Sequence, residues 1–172
     1  MRSPRLLLAA LLLLGGATGI AGCAGAGADG GGGDGGGNPP QVTFAAAGST
    51  VTAGPTQYCD VQVQECRADP AAAVVLKVPP GTPLEVTVPG TVSEAPWQVV
   101  FRYRAPDGAT TQARSTVFAA NQRSRYTLEP PAAGAQLETV EVQQFGTAMV
   151  ARQDGVDFAT RATWVLSVDD RT

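Results

Sequence analysis

Apolar residues recur at every second position in five stretches of the chain. In one of them, Leu84, Val86 and Val88 are separated by Glu85 and Thr87. Alternation of this kind predicts β-strands with one face in a core and the other in water. The same pattern continues in residues 97–104, 125–128, 139–142 and 158–168.

Residues typical of turns separate these predicted strands. Pro106-Asp107-Gly108 follows the strand that contains Trp97, and Asp154-Gly155 separates residues 149–152 from the last strand. Most prolines lie between the predicted strands, where a missing N–H does not interrupt a hydrogen-bonded ladder. Helix is predicted only at Asp69–Ala73, as about one turn with Asp69 as N-cap and proline at the first helical position.

About eight or nine short strands at intervals of roughly ten residues indicate an all-β domain over residues 41–172. We predict an antiparallel two-sheet sandwich, immunoglobulin-like in general character, with a small β-barrel as the alternative fold. The residues predicted to lie in its core are Trp97, Phe101, Tyr103, Leu128, Val142, Phe158, Trp164 and Leu166.

The first 22 residues have the features of an export signal. Arg2 and Arg5 precede nine strongly apolar residues at positions 6–14, and small residues follow up to Cys23. Because a transmembrane helix needs about 20 apolar residues, a cleaved signal is favoured over a permanent span. The run Ile20-Ala21-Gly22-Cys23 resembles the lipobox at which lipoprotein signal peptidase cuts before a diacylglyceryl-modified cysteine. An ordinary secretory cleavage site near Cys23 is the alternative.

This interpretation divides the chain into a lipoprotein signal peptide (1–22), a lipid-anchored Cys23 with a glycine-rich tether (23–40) and the β-domain (41–172). Residues 24–40 read AGAGADGGGGDGGGNPP, a composition that predicts flexible coil spanning about 20–25 Å. We therefore expect the domain close to the extracytoplasmic face of the cell membrane, to which it is bound through the lipid on Cys23.

Charge and composition exclude several functions. Removal of residues 1–22 leaves ten basic and fifteen acidic side chains, a net charge of −5 that disfavours binding to nucleic acid. The chain has no histidine, which excludes Ser-His-Asp and Cys-His catalysis and the commonest zinc ligand. No cofactor or metal site is predicted. Lys77 is the only lysine, and its strand position predicts a solvated side chain rather than a catalytic base.

Cys59 and Cys66 remain when Cys23 is assigned to lipid. Two cysteines with six residues between them in an oxidising compartment predict a disulfide that closes a short loop or hairpin. A redox-active pair is the alternative, although the spacing is not Cys-x-x-Cys and no basic residue adjoins Cys59.

Four segments of the β-domain resemble a family of actinobacterial envelope lipoproteins classed only as a domain of unknown function. The resemblance implies an envelope location and a shared fold over most of residues 41–172, and it assigns no catalytic residue. The segments are Gly54–Cys59, Pro96–Phe101, Val142–Gly146 and Ala159–Ser167.

The function predicted from these features is a non-enzymatic interaction module that binds an envelope protein or a cell-wall component. One alternative is a carrier of lipid or another small molecule. Another is a cell-wall enzyme with paired carboxylates. The candidate pairs for it are Glu138 with Glu141, whose odd spacing predicts opposite faces of a strand, and Asp169 with Asp170. The candidate interaction surface consists of Gln98, Arg102 and Arg104, with Arg161 if the last strand is a neighbour.

Overall fold

Eleven strands and two single turns of helix form the secondary structure of residues 38–152 and 155–169, which this computed structural model describes. The predicted signal peptide, Cys23 and most of the tether lie outside the described residues. The strands are β1 (Val42–Ala46), β2 (Ser49–Ala53), β3 (Gln57–Cys59), β4 (Cys66–Ala68), β5 (Val74–Lys77), β6 (Leu84–Thr87), β7 (Trp97–Arg104), β8 (Thr110–Arg114), β9 (Arg125–Leu128), β10 (Gln136–Arg152) and β11 (Gly155–Asp169).

The strands form two sheets. The small sheet has the order β2-β1-β6-β9, and the large sheet has the order β4-β3-β11-β10-β7-β8. β5 joins the large sheet by pairing with the C-terminal half of β11, in parallel, while every other pairing is antiparallel. The predicted all-β sandwich is confirmed, and the sheets do not close into a barrel. The described strands number eleven rather than eight or nine, and β1 to β4 are the ones that lie outside the patterns used for the prediction.

The core lies between the two sheets and is built from alternate residues of the paired strands. β1 and β6 contribute residues such as Phe44 and Val86, and β7 and β11 contribute the fully buried Trp97 and Trp164. The phenyl ring of Phe118 packs 4.7 Å from the ring of Trp97, measured between centroids. Of the eight predicted core residues, Trp97, Phe101, Leu128, Val142, Trp164 and Leu166 are buried, and Tyr103 is partly buried against the core.

Phe158 is the predicted core residue that the structure places in solvent, with 53% of its surface exposed. Ala162 pairs with Gln144, whereas Thr160 pairs with Phe145, so that Arg161 is an extra residue in β11. Such a β-bulge shifts the alternation of faces by one residue. The prediction assumed unbroken alternation from 158 to 168 and was therefore wrong at Phe158.

The β10–β11 hairpin extends past the sandwich as a two-stranded ribbon. Pairing of β10 with β7 ends at Gln144, and pairing of β11 with β3 ends at Ala162. Beyond these residues the two strands pair with each other as far as Arg152 and Gly155. We call residues 145–152 and 155–161 the arm.

The predicted helical turn is present as a 3-10 helix at Pro70–Ala72, where the Asp69 carboxylate accepts a hydrogen bond from the backbone N–H of Ala71. A second turn, α1 (Gly90–Ser93), was not predicted. No helix among residues 38–152 and 155–169 is long and apolar enough to cross a membrane.

Both predicted turns connect paired strands. Gly108 donates its N–H to the carbonyl of Ala105 with a positive φ of 89°, which glycine adopts without steric cost, between β7 and β8. At the other turn, Gly155 pairs with Arg152, and Asp154 lies outside the described residues.

Candidate functional site

The outer face of the large sheet carries most of the predicted interaction surface. Because Trp97, Val99 and Phe101 point into the core, the intervening side chains of β7 point outward. Gln98, Arg102 and Arg104 therefore share this outer face, as predicted.

A chain of hydrogen-bonded amides crosses the face from β7 to β10. The Nε2 group of Gln98 donates to Oε1 of Gln143 over 2.8 Å, and Nε2 of Gln143 donates to Oε1 of Glu141 over 2.7 Å. Gln98 and Gln143 are directly opposite each other in the antiparallel register. Gln98 is only 6% exposed, so its side chain is held within the face instead of extending into water. The amides are thus fixed in position before any ligand arrives.

Two arginines of β7 share one carboxylate of β10. Nε of Arg102 lies 3.0 Å from Oε2 of Glu138, and Nε of Arg104 lies 3.3 Å from Oε1 of the same side chain. The side chains of Arg102 and Arg104 are 55% and 42% exposed. Exposed pairs of this kind stabilise a fold little, and both side chains remain partly accessible to a ligand.

The position of Glu138 corrects the prediction that Glu138 and Glu141 lie on opposite faces. Leu137 pairs with Tyr103 and Thr139 pairs with Arg102, which leaves Glu138 as an extra residue in β10. This bulge turns Glu138 toward the outer face, where its partners lie, and Glu141 is on that face as well. The second carboxylate pair is not described as a pair, because Asp170 lies outside the described residues.

Between β7 and β8 the outer face forms a depression of about 400 Å³ that is open to solvent. Its walls offer amide and guanidinium donors, which can bind carbonyl, hydroxyl or carboxylate oxygens. The lining residues are Gln98, Val100, Gln112, Ala113, Arg114 and Gln143. Gln112, Arg114 and Gln143 were not predicted from the sequence, since only the register shows which side chains meet across strands.

Arg161 does not belong to this surface. Its strand, β11, neighbours β10 rather than β7, and Arg161 lies where the arm joins the sandwich. The guanidinium group is 5.3 Å from the centroid of the Tyr58 ring, and Nη2 donates to the Tyr58 hydroxyl over 3.3 Å. The condition attached to this residue, that the last strand neighbours β7, is not met.

Cys59 and Cys66 form the predicted disulfide, which closes the β3–β4 hairpin. A side-chain hydrogen bond stabilises the loop inside the disulfide. Oδ1 of Asp60 accepts from the N–H of Gln64 over 2.7 Å. The loop also contacts the base of the arm, because Thr147 donates both its N–H and its hydroxyl to the carbonyl of Val61. The disulfide loop is therefore a support for the arm.

Lys77 is exposed on the face of β5 opposite the buried Leu76, as predicted. In the described part of the chain, no three His, Cys, Asp or Glu side chains are grouped so that they could hold a metal ion.

Comparison with known proteins gives relatives of unassigned function. The chain is 31% identical over 90 residues to the uncharacterized protein Rv0875c of Mycobacterium tuberculosis strain H37Rv and to the uncharacterized protein Mb0899c of Mycobacterium bovis, covering 52% of each chain. It thus spans about half the length of the curated relatives that it matches. No solved structure matches it.

A family model described as "Protein of unknown function (DUF2771)" matches residues 36–169, which include both sheets. The chain therefore belongs to this family of proteins of unknown function.

Proposed function

We propose that this protein is a lipid-anchored, non-enzymatic binding module of the cell envelope that binds its partner on the outer face of the large sheet. The observation that carries the proposal is the open depression between β7 and β8, whose walls include Arg114 and the preset amide groups of Gln98 and Gln143. Donors that are already fixed by neighbouring residues lose little freedom when they bind, which favours recognition.

The charge of the face indicates the chemistry of the partner. Three arginines, Arg102, Arg104 and Arg114, project from β7 and β8, and the carboxylates beside them are Glu138 and Glu141. The chain as a whole is acidic, so a local excess of guanidinium groups favours a partner with exposed carboxylates. An acidic envelope protein or a carboxylate-bearing cell-wall polymer fits this description.

The alternatives account less well for the same groups. Glu138 is held by two guanidinium groups and Glu141 accepts from Gln143, so both carboxylates are engaged in interactions that keep the face in order. A carrier needs apolar space between its sheets, and here that space holds Trp97, Trp164 and Phe44. These contacts support a binding module.

The anchor is the second part of the proposal. The run that ends at Cys23 supports acylation of that cysteine, and the glycine-rich residues after it support a short connection to the β-domain. A domain held in this way meets its partners within a few tens of ångströms of the membrane, at ~20–25 Å of tether reach.

Photo-crosslinking in cells tests the binding surface. A benzoylphenylalanine at Gln112, on the exposed outer face of β8, should form a covalent adduct with the partner. The same amino acid at Thr52, exposed on the small sheet, is the positional control. We expect the Gln112 adduct to be lost in the double variant Arg102→Glu and Arg104→Glu.

Glu138→Gln is the matched control for the charge reversal. It removes the shared carboxylate but leaves both arginines, so the adduct should persist or increase. Equal adducts from positions 112 and 52, or an adduct that survives the charge reversal, would contradict the proposed surface.

A further inference from the structure

Large apolar side chains are exposed mainly at one end of the molecule. In the described residues six such side chains are exposed, and four of them lie on the arm or beside its base. Val61 is in the disulfide loop that contacts the arm, and Met149, Val156 and Phe158 are on the arm itself with 64%, 64% and 53% of their surfaces exposed.

The three arm residues share one face of the ribbon. Met149 pairs directly with Phe158, and Ala151 pairs with Val156. Because alternate residues of a strand point to the same side and paired residues point together, these four side chains form a continuous apolar stripe. A two-stranded ribbon is marginally stable in water by itself, so a surface that covers the stripe would also stabilise the arm.

The chain from Cys23 enters the sandwich at the end that carries the arm. The carbonyl oxygen of Pro40 accepts a hydrogen bond of 2.8 Å from Nε1 of Trp164. Trp164 is two residues from Ala162, the residue of β11 that adjoins the arm. Tether and arm therefore leave the sandwich from neighbouring positions.

The reach of the tether matches the length of the arm. The 17 residues of the glycine-rich segment span about 20–25 Å as coil, the state that their composition predicts. Residues 145–152 of the arm extend about 26 Å at ~3.3 Å per residue. A membrane that holds Cys23 is thus within reach of the arm.

We propose that the apolar stripe of the arm lies on the surface of the membrane to which Cys23 is attached. The arm is a second contact that orients the domain, and this inference rests on the proposed lipid anchor. Past Thr147, both edges of the arm carry backbone N–H and C=O groups outside the sheet ladders. These groups need water or lipid headgroups, so the ribbon rests at the interface and does not enter the hydrocarbon.

Fluorescence of the full, lipid-anchored chain in vesicles of phosphatidylethanolamine and phosphatidylglycerol tests the contact. An environment-sensitive dye is attached at Met149→Cys, while Cys59 and Cys66 remain in their disulfide. Val75→Cys is the matched control, since Val75 is 60% exposed and pairs with Ser167 at the opposite end of β11. We expect a blue shift and quenching by nitroxide-labelled lipid at position 149 and neither effect at position 75.

A second substitution tests the stripe as a whole. Phe158→Glu should lower the ratio of membrane-bound to free arm about tenfold, since one large apolar side chain contributes roughly that factor to partition. Val75→Glu should leave the signal from position 149 unchanged. Equal signals from positions 149 and 75 in acylated protein would overturn the arm contact while the lipid anchor stands.

Two further results distinguish the membrane contact of the arm from the lipid anchor and from self-association of the chain. Absence of acyl labelling on Cys23 would reject the anchor, whatever the dye at position 149 reports. A blue shift at position 149 that appears without vesicles and grows with protein concentration would show that a second copy of the chain covers the stripe, and would overturn the membrane contact.

Discussion

At Gly146, the two strands of the arm and the disulfide loop lie close together. A Cβ atom at this position would lie 2.6 Å from Cγ2 of Val63 and 2.8 Å from the carbonyl oxygen of Val61. Val63 itself has a positive φ of 60°, a strained conformation for a β-branched residue. The absence of a side chain at Gly146 is therefore what allows the loop to approach the arm.

The variant Gly146→Ala should destabilise the protein by about 1–3 kcal/mol, because the added methyl group meets a backbone oxygen that cannot move alone. Urea unfolding measures the change in the free energy of unfolding. Gly54→Ala is the control, since its Cβ would lie at an ordinary 3.6 Å from Cβ of Ala72. Equal effects of the two substitutions would show that the contact at Gly146 is not tight.

Gln144 stabilises the helical turn α1, a role that no pattern in the sequence indicates. It is 1% exposed, and its Nε2 group donates to the carbonyls of Thr91 and Val92 over 2.9 Å each. These bonds satisfy carbonyls of α1, the helical turn that the sequence did not predict. Gln144 follows Val140 and Val142 on the inner face of β10, and from the sequence alone a glutamine there would be taken as polar and solvated.

At the scale of elements, we expect the stability of the sandwich to depend little on the arm, whereas the arm needs the sandwich to hold its strands together. Past Thr147, the ladder bonds of the arm run only between its own two strands. Replacing residues 149–158 by Asn-Gly, a favoured two-residue hairpin turn, should change the free energy of unfolding by less than about 1 kcal/mol.

Leu166→Ala provides the comparison for this shortened chain, because the residue is fully buried in the sandwich half of the same strand. It should cost about 2–5 kcal/mol. Chemical denaturation of both variants measures the difference. A shortened arm that costs as much as Leu166→Ala would mean that the two halves of β11 unfold as one unit.

The sequence predicted the sandwich and most of its core because alternation is a local property of each strand. Trp97, Trp164 and Leu166 follow that rule without exception. It failed at Phe158 and Glu138, where one extra residue in a strand reverses the faces. A bulge depends on the register with a neighbouring strand, which a single sequence does not contain.

The need to know the strand register also limited what could be predicted of the candidate site. The outward positions of Gln98, Arg102 and Arg104 follow from alternation within β7. Their partners, Gln143 and Glu138, could not be predicted because they lie 45 and 36 residues away in the chain and meet β7 only through long-range pairing.

At the scale of the whole molecule, we expect the fold of the β-domain to be independent of its attachment to the membrane. The full chain with Cys23→Ala should lose acyl labelling and appear in the soluble fraction, while the Cys59–Cys66 disulfide persists, because residues 38–152 and 155–169 form both sheets. Cell fractionation, metabolic acyl labelling and electrophoresis without reductant measure the three properties.

Cys66→Ser is the complementary control: it should stay acylated and membrane-bound but lose the disulfide and about 2–3 kcal/mol of stability. If the unsubstituted chain took up no acyl label and still remained in the membrane fraction, the apolar residues 6–14 would be the anchor and the lipoprotein interpretation would be wrong.

The central position of β11 affects the order in which the molecule can fold. β11 pairs with β3, β5 and β10, yet it follows all of them in the chain. The small sheet is complete by Leu128, whereas the large sheet has no place for β3 and β5 until residues 155–169 are present. Such long-range pairing slows folding. If the chain were threaded across a membrane from its N-terminus, the large sheet would therefore be completed only after the last described strand had crossed, and the sandwich would close on the far side.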